Sequence, residues 1–279
     1  MGIIKTYPLW ISHSSIRDFL ACPRAYFLHN VYKDPRTNHK ITIMNPSLAL
    51  GQMVHEVLES LSLLKSEDRF KESLISKYNE IWVKVSGELG GFKSEKEEAA
   101  YRKRGEVMIQ RVMDYPGSLL NKALKLTSPD PNFSLPHYFI SVEDNIILCG
   151  KVDWLEYLPE DDGIHIIDFK TGKNDEDMDS LQLPIYSLLV KNRQKRKLKK
   201  VSYWYLERDD QPIEQVLPDL DEVYKKVLEL GLRIKELRKL GEYICPKNGC
   251  FACRSLEAII NKQAKYVSSN SYQDIYIIN

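Results

Sequence analysis

Apolar residues recur at the three- and four-residue spacing of a helix through roughly the first 120 positions of the chain. Over 14–31 this pattern follows a pair of serines, and Pro23 predicts a break within the helix. The same spacing predicts helices over 48–64, 68–85 and 95–115, with the glycine-rich segment 87–91 between the last two. The first part of the chain is therefore expected to be mainly helical.

Beyond position 128 the pattern changes to short apolar runs separated by turn residues. Glu143-Asp144-Asn145 predicts a hairpin between the first two runs. The predicted strands are 135–142, 146–158, 165–169, 201–206 and 274–278, and the predicted helices are 181–191 and 220–240. Helices followed by a meander and a strand–helix–strand unit indicate an α/β protein with a mixed sheet flanked by helices.

Composition narrows the class of protein only in part. Of the 279 residues, 43% are hydrophobic and 28% are charged, as in a globular protein. The formal charge of +1 neither supports nor excludes a nucleic-acid partner. No apolar run approaches the roughly 18 residues of a membrane span, and Met1 to Trp10 lacks the apolar core of a signal peptide. We therefore expect a cytoplasmic protein without a membrane partner.

The segment from Gly150 to Lys170 carries the chemistry most clearly. Asp153 and Asp168 stand at the ends of two apolar segments that are expected to pair as strands, and two carboxylates can hold a divalent metal ion. Lys170 lies two residues after Asp168 and so shares its face of a strand, where it can touch a water or a phosphate oxygen. This set suits metal-assisted phosphodiester hydrolysis. The plain alternative is two surface strands with solvated charges.

Three more residues join this set in our interpretation. His55 lies in an apolar helical run after Gly51 and would complete a carboxylate metal site, although a lone helical histidine is usually structural. Gln182 and Tyr186 are four residues apart and share a helix face. They are interpreted either as an ordinary amide and a half-buried aromatic residue or as a pair that contacts the DNA backbone and steadies Lys170.

These motifs together resemble the PD-(D/E)xK nuclease superfamily, in particular its RecB/AddB branch. They are Gly-x-x-x-His55-x-x-Leu-Glu, Gly150-Lys-Val-Asp153, Asp168-Phe-Lys-Thr-Gly172 and Gln182-x-x-x-Tyr186. The resemblance implies a restriction-endonuclease-like mixed sheet, dependence on Mg²⁺ or Mn²⁺, and DNA cleavage. It also implies that His55, Asp153, Asp168 and the Phe169 carbonyl bind the metal while Lys170 orients or activates water. Many relatives have an arginine where this chain has Trp154.

The cysteines form a second candidate metal site. Cys22 precedes Pro23, and Cys245, Cys250 and Cys253 fall within nine residues near the other end of the chain. Four thiolates suit a [4Fe–4S] cluster or a structural Zn²⁺, and unligated thiols are the third alternative. The RecB/AddB resemblance implies the cluster, with Cys245 supplying the ligand that relatives place near Ile259. Such a site would staple the first helix to the last, and Cys149 is expected to stay outside it.

Basic residues give weaker indications of a DNA-binding surface. Lys195, Arg196 and Lys197 belong to a run with seven basic residues in ten, which predicts phosphate contacts or a solvated turn equally well. Arg17 and Arg24 near Cys22 are further candidates. No glycine-rich loop of the Walker type is present, so no motor is expected in this chain.

The sequence as a whole predicts one nuclease domain over 1–279. We expect a mainly helical part at 1–125, a catalytic core at 126–240, and the cysteine cluster with a tail at 241–279. The predicted activity is a metal-dependent exonuclease acting on single strands or DNA ends in recombination, repair or replication, similar to CRISPR-adaptation and phage or host recombination exonucleases. The alternatives are a structure-specific endonuclease and a non-catalytic DNA-binding subunit.

Overall fold

The computed structural model describes residues 7–130, 133 and 135–278, so 1–6 of the predicted helical part and 279 of the predicted tail lie outside it. Eight α-helices are present in the described residues. They are α1 (His13–Ala21), α2 (Pro23–Tyr26), α3 (Pro46–Ser60), α4 (Leu74–Ile81), α5 (Glu95–Asp114), α6 (Gln182–Arg193), α7 (Leu220–Leu240) and α8 (Phe251–Ile260). None of the helices described is long and apolar enough to cross a membrane.

Ten strands form three mixed sheets in the described residues. They are β1 (Leu9–Ile11), β2 (Lys40–Ile43), β3 (His137–Ser141), β4 (Ile146–Cys149), β5 (Trp154–Leu158), β6 (Gly163–Lys170), β7 (Lys197–Tyr205), β8 (Ile213–Gln215), β9 (Lys265–Ser269) and β10 (Gln273–Ile277). The sheet orders are β5-β6-β7-β8, β1-β4-β3 and β2-β10-β9. Each sheet contains one parallel pair, namely β6 with β7, β1 with β4, and β2 with β10. The mixed α/β architecture predicted from the sequence is confirmed.

Strand β6 is the centre of the largest sheet and is covered on both faces. Its residues alternate in direction, so that Ile164 and Ile166 join a core containing α6 and α7, whereas Ile167 and Phe169 join a core containing α3 and α5. Every residue of β6 except Lys170 is buried. Its apolar run therefore fits a strand between two layers of helices.

A buried polar network crosses this sheet on its α3 face. Hydrogen bonds of 2.7 Å join one ring nitrogen of His165 to Glu156 Oε2 and the other to Ser202 Oγ. All three side chains are buried on neighbouring strands, so the network has no surface through which a substrate would reach the serine. It satisfies its own polar groups and fixes the lateral arrangement of β5, β6 and β7.

Two predicted elements were wrong in extent. The run 146–158 is not one strand, because residues 150–153 leave the sheet between β4 and β5. Gly150 lies so close to α6 that a Cβ atom there would stand 2.9 Å from Leu189 Cδ1. Asp153 consequently lies in this connection and not on a strand. The predicted helix 68–85 is α-helical only over α4, which begins at its Ser73 cap.

Arg69 explains why that helix starts late, since its side chain turns inward. The guanidinium is buried and donates hydrogen bonds to the carbonyls of Leu61 at 3.0 Å and of Leu119 and Asn121 at 2.6 Å each. It also lies 5.0 Å from the centre of the Trp154 ring. One cation thus ties the end of α3 to the segment that follows α5.

We predict that Arg69→Ala lowers the free energy of unfolding by about 3 kcal/mol or more, because hydrogen bonds to a charged group contribute roughly 1.5–3 kcal/mol each and three carbonyls, two of them in buried bonds, lose their donor. Chemical denaturation measures the change. Lys71→Ala is the control, since Lys71 only pairs with Asp68 at the surface. An unchanged denaturation midpoint for Arg69→Ala would contradict the assignment.

Candidate active site

Four elements meet at the carboxyl end of β6. β6 supplies Asp168 and Lys170, the connection before β5 supplies Asp153, α3 supplies His55 and α6 supplies Gln182. Trp154 is paired with Ile167 across the two strands, which brings the preceding Asp153 beside Asp168. The Phe169 N–H donates a 2.9 Å hydrogen bond to Asp153 Oδ2 and holds that carboxylate against β6. The Phe169 carbonyl stays a predicted metal ligand.

His55 and Asp153 face each other across this junction. His55 Nδ1 lies 3.4 Å from Asp153 Oδ2 and 3.9 Å from Glu59 Oε1. Single ligand atoms of these three residues all lie within 4.8 Å of one another, so they can share one metal ion. Glu59 was not predicted as a ligand from the sequence, although its position four residues after His55 places both on one face of α3. Glu59 also pairs with Lys151.

Lys170 is held by three neighbours. Its Nζ lies 3.0 Å from Asp168 Oδ2 and 2.7 Å from Glu176 Oε2, and it donates a 2.5 Å hydrogen bond to Gln182 Oε1. Glu176 was also missed by the sequence analysis. It stands in an acidic stretch after β6, where no spacing rule distinguishes it from Asp175 or Asp177. The structure distinguishes it, because Ser180 Oγ and Lys170 both donate to its carboxylate.

Gln182 links the carboxylate to the lysine. Its Nε2 donates to Asp168 Oδ1 at 2.8 Å while its Oε1 accepts from Lys170. Tyr186 lies behind it, with the hydroxyl oxygen 3.3 Å from the same Nε2. The predicted support of Lys170 thus has a visible contact in Gln182. Tyr186 is only 8% exposed, which leaves little of its surface for the predicted contact with a DNA backbone.

Burial and neighbouring charge set the protonation of the site. Desolvation, followed by the adjacent Asp153 carboxylate, raises the pKa of Asp168 to about 7. Burial opposes the charged imidazole of His55, but Asp153, Asp168 and Glu59 outweigh it and raise its pKa. Burial likewise opposes the Lys170 ammonium, and Asp168 and Glu176 nevertheless raise its pKa. Lys170 is therefore a cation near neutral pH.

The buried carboxylate of Asp168 suits a site that holds cations. Asp168 is 1% exposed, and its Oδ2 lies 3.0 Å from the Lys170 ammonium, with no second donor to this oxygen among the described residues. Buried carboxylates are costly unless cations face them, and Lys170 supplies a single positive charge to both Asp168 and Glu176. Carboxylates and one imidazole are a donor set for Mg²⁺ or Mn²⁺. A cavity of about 630 Å³ beside them is lined by His55, Glu59, Lys151 and Thr171, among others.

Trp154 departs from the arginine of many relatives and does not enter this site. Its side chain is 1% exposed and packs in the core that contains α3 and α5. Its neighbour there is Arg69, at the cation–π distance given above. Position 154 therefore supplies no basic side chain to the residues around Asp153.

The basic run lies at the other end of the central sheet. Lys197 is paired with Gly163 at the start of β6, and Asp168 stands five residues further along, about 17 Å at roughly 3.3 Å per residue. Arg196 pairs with Asp162 at 2.7 Å, whereas Lys195 is exposed. A DNA contact of Lys195, Arg196 and Lys197 stays a prediction, and it concerns a surface remote from Lys170.

The two candidate arginines near Cys22 differ in their surroundings. Arg24 Nε lies 2.5 Å from Glu257 Oε1, and this ion pair joins α2 to α8. Arg17 is exposed on α1 and forms no ion pair with any described residue within 4.0 Å. Of the two, Arg17 is therefore the one whose charge is available to a phosphate.

The four predicted cysteines lie together between α2 and α8. Their sulfur atoms are all within 4.8 Å of one another, and Cys250 Sγ is 3.7 Å from Cys253 Sγ. Cys22 caps the start of α2 and Cys250 that of α8. Cys149 stands apart, with its thiol donating to the Ile11 carbonyl, as expected from the sequence.

Main-chain N–H groups lower the pKa of two of these thiols and so favour the thiolate form that binds metal. Hydrogen bonds from Gly249, which donates at 3.3 Å, and from Lys247 lower the pKa of Cys245 to about 6. The pKa of Cys250 is lowered for a similar reason, chiefly by the N–H of Cys253. Burial raises the pKa of the Cys253 thiol to about 12 and also raises that of Cys22. A bound cation would deprotonate all four.

The comparison with protein families gives one match. The family described as PD-(D/E)XK nuclease superfamily matches residues 10–255. This span includes every residue of the candidate active site and all four clustered cysteines. No curated protein matches the chain.

We predict that Cys22→Ser removes bound metal from this cluster and lowers the thermal unfolding midpoint, because the site closes a long loop between α2 and α8. Elemental analysis and calorimetry on protein purified without oxygen measure both effects. Cys149→Ser is the matched control and should retain the metal. Cys22→Ser with unchanged metal content and stability would contradict the staple.

Proposed function

Because this chain belongs to the PD-(D/E)XK nuclease superfamily, we propose that it is a Mg²⁺- or Mn²⁺-dependent deoxyribonuclease of the RecB/AddB branch. We further propose that it acts as an exonuclease on single-stranded DNA or DNA ends. The observation that carries the proposal is the buried Asp168 carboxylate, which lies beside Asp153 and shares the single positive charge of Lys170 with Glu176. A degenerate binding subunit would have no need to keep this set complete.

The residues divide the work of hydrolysis between them. His55, Asp153 and Asp168 would hold the metal, and Glu59, which groups with His55 and Asp153 within 4.8 Å, is a further candidate ligand. The metal would polarise a phosphate oxygen and activate water. Gln182 keeps the Asp168 carboxylate turned toward this point. Lys170 is cationic, so it orients the attacking water and offsets charge that develops on the phosphate, whereas a neutral lysine would be needed to remove a proton.

The preference for ends rests on how the molecule is closed. The Arg24–Glu257 ion pair and the four cysteines join the N-terminal helices to α8. A helical layer closed in this way against α8 favours a strand that enters by a free end over one that must be wrapped. The requirement for a free end distinguishes an exonuclease from an endonuclease.

We propose that the cysteines bind a [4Fe–4S] cluster, as the resemblance to the RecB/AddB branch implies. A structural Zn²⁺ is the second candidate, and one observation favours it. Ligands of a tetrahedral zinc with Zn–S bonds of about 2.3 Å stand roughly 3.8 Å apart, close to the 3.7 Å between Cys250 Sγ and Cys253 Sγ. Iron, sulfide and zinc contents decide between them, and iron–sulfur protein would also be brown.

We predict that Asp168→Ala and Lys170→Ala each reduce cleavage of linear DNA at least about 100-fold, because these groups act on the metal and the water. Binding of DNA should be largely retained, since contacts to other phosphates persist. Cleavage and fluorescence anisotropy with labelled strands measure the two effects, with Lys71→Ala as the control. Activity near that of the wild type in either variant, or full wild-type activity in EDTA, would overturn the site assignment.

We predict that linear single strands are degraded progressively while covalently closed single-stranded circles of the same sequence resist. Gel analysis over time in Mn²⁺ compares the two, and a nicked circle serves as the control that restores a free end. Rapid cutting of the closed circle would instead support the endonuclease alternative.

A further inference from the structure

A small cavity adjoins the candidate active site on the side of α1. Glu176, whose carboxylate pairs with Lys170, also lines this cavity of about 210 Å³. Its other walls come from α1 and from the segment before α6, and they include His13, Arg17, Leu20 and Ser180. We call it the α1 pocket. Glu176 therefore lies between the α1 pocket and Lys170, the lysine that faces the reacting phosphate in the proposed mechanism.

The chain fixes the α1 wall of this pocket firmly. β1 runs parallel to β4 and pairs Ile11 with Leu148, which starts α1 beside the connection that leads to Asp153. Ser12 and Ser15 then form a reciprocal capping box at the start of the helix. Residues 13, 16, 17 and 20 follow at the spacing of one helix face, and all four line the pocket.

The lining combines apolar surface with both hydrogen-bond donors and hydrogen-bond acceptors. Ile16 and Leu181 are buried, and Leu20 is 54% exposed at the rim. Burial and the nearby Arg17 lower the pKa of His13 to about 4, so its ring is neutral near pH 7 and offers one donor and one acceptor. Asp177 and Asp179 add acceptors, and Arg17 adds a cation that forms no ion pair with the described residues.

These features suit one small planar heterocycle. Pockets that take drug-sized ligands are roughly 300–1,000 Å³, so the α1 pocket holds a smaller group. The amino groups of nucleobases donate to carboxylates, an imidazole and aliphatic side chains stack on their faces, and Arg17 meets the attached phosphate. A base paired in a duplex would be unable to enter.

We propose that the α1 pocket binds an unpaired nucleobase next to the scissile phosphate. This inference rests on the proposed function and deepens it, because it gives the protein a direct physical reason to select single strands. His13, Arg17 and Leu20 then touch the substrate without touching the reacting atoms.

The test compares a normal single-stranded oligonucleotide with one of equal length built from abasic tetrahydrofuran nucleotides. Dissociation constants are measured by fluorescence anisotropy in EDTA, so that no cleavage occurs. Loss of a stacked base weakens binding by about tenfold. We expect wild type to bind the abasic strand at least that much more weakly, and His13→Ala to lose most of this difference. Leu20→Ala, a change at an exposed position, should act in the same direction.

The matched control is His29→Ala, because His29 is exposed nearby, pairs with Asp18 and does not line the pocket. It should keep the wild-type ratio. If His13→Ala weakens both strands equally, or if both pocket variants keep the wild-type ratio, the inference is overturned while the nuclease proposal stands. If the ratio behaves as expected but no DNA is cleaved in Mn²⁺, the nuclease proposal fails and the pocket stands.

Discussion

The desolvation of Asp168 is the constraint on which the rest of the site depends. Burial in the central strand makes its charge unfavourable, and Asp153 adds repulsion. Four carboxylates, from Glu59, Asp153, Asp168 and Glu176, face only two lysines, Lys151 and Lys170. A divalent cation bound to neutral His55 would bring this group to electrical balance. Without the cation, protons on His55 and Asp168 must take its place, which accounts for the raised pKa of each.

The motifs could be predicted from the sequence because each depends on local spacing. Asp168 and Lys170 share a strand face, and His55 lies on a long amphipathic helix, so periodicity alone places them. The residues that complete the site depend on packing between distant segments. Glu176 reaches Lys170 only because the loop after β6 folds back, and the remote position of Lys197 follows from the parallel register of β6 and β7. No local pattern encodes either fact.

The errors in the predicted strands have the same origin. The run 146–158 is mainly apolar despite Lys151, Asp153 and Glu156, and the close approach of α6 to Gly150 marks where the chain leaves the sheet. The strands β1 and β8, of three residues each, are too short for a period to be recognised. The grouping of the cysteines was easier to predict from the sequence, because cysteines this close together have few roles other than metal binding. The turn that brings Cys245 to its partners needs positive φ angles at Asn248 and Gly249, and sequence indicates such angles only weakly.

The pairing of β2 with β10 has a consequence for synthesis on the ribosome. β10 is the last strand described, yet it lies parallel to a strand that follows Cys22 closely in sequence. During translation the N-terminal helices and His55 therefore emerge long before the strand that completes their sheet. Contacts of such wide sequence separation form slowly, and the nascent chain exposes an unpaired strand edge until they do. The time between these events is when this protein is most open to aggregation and to chaperones.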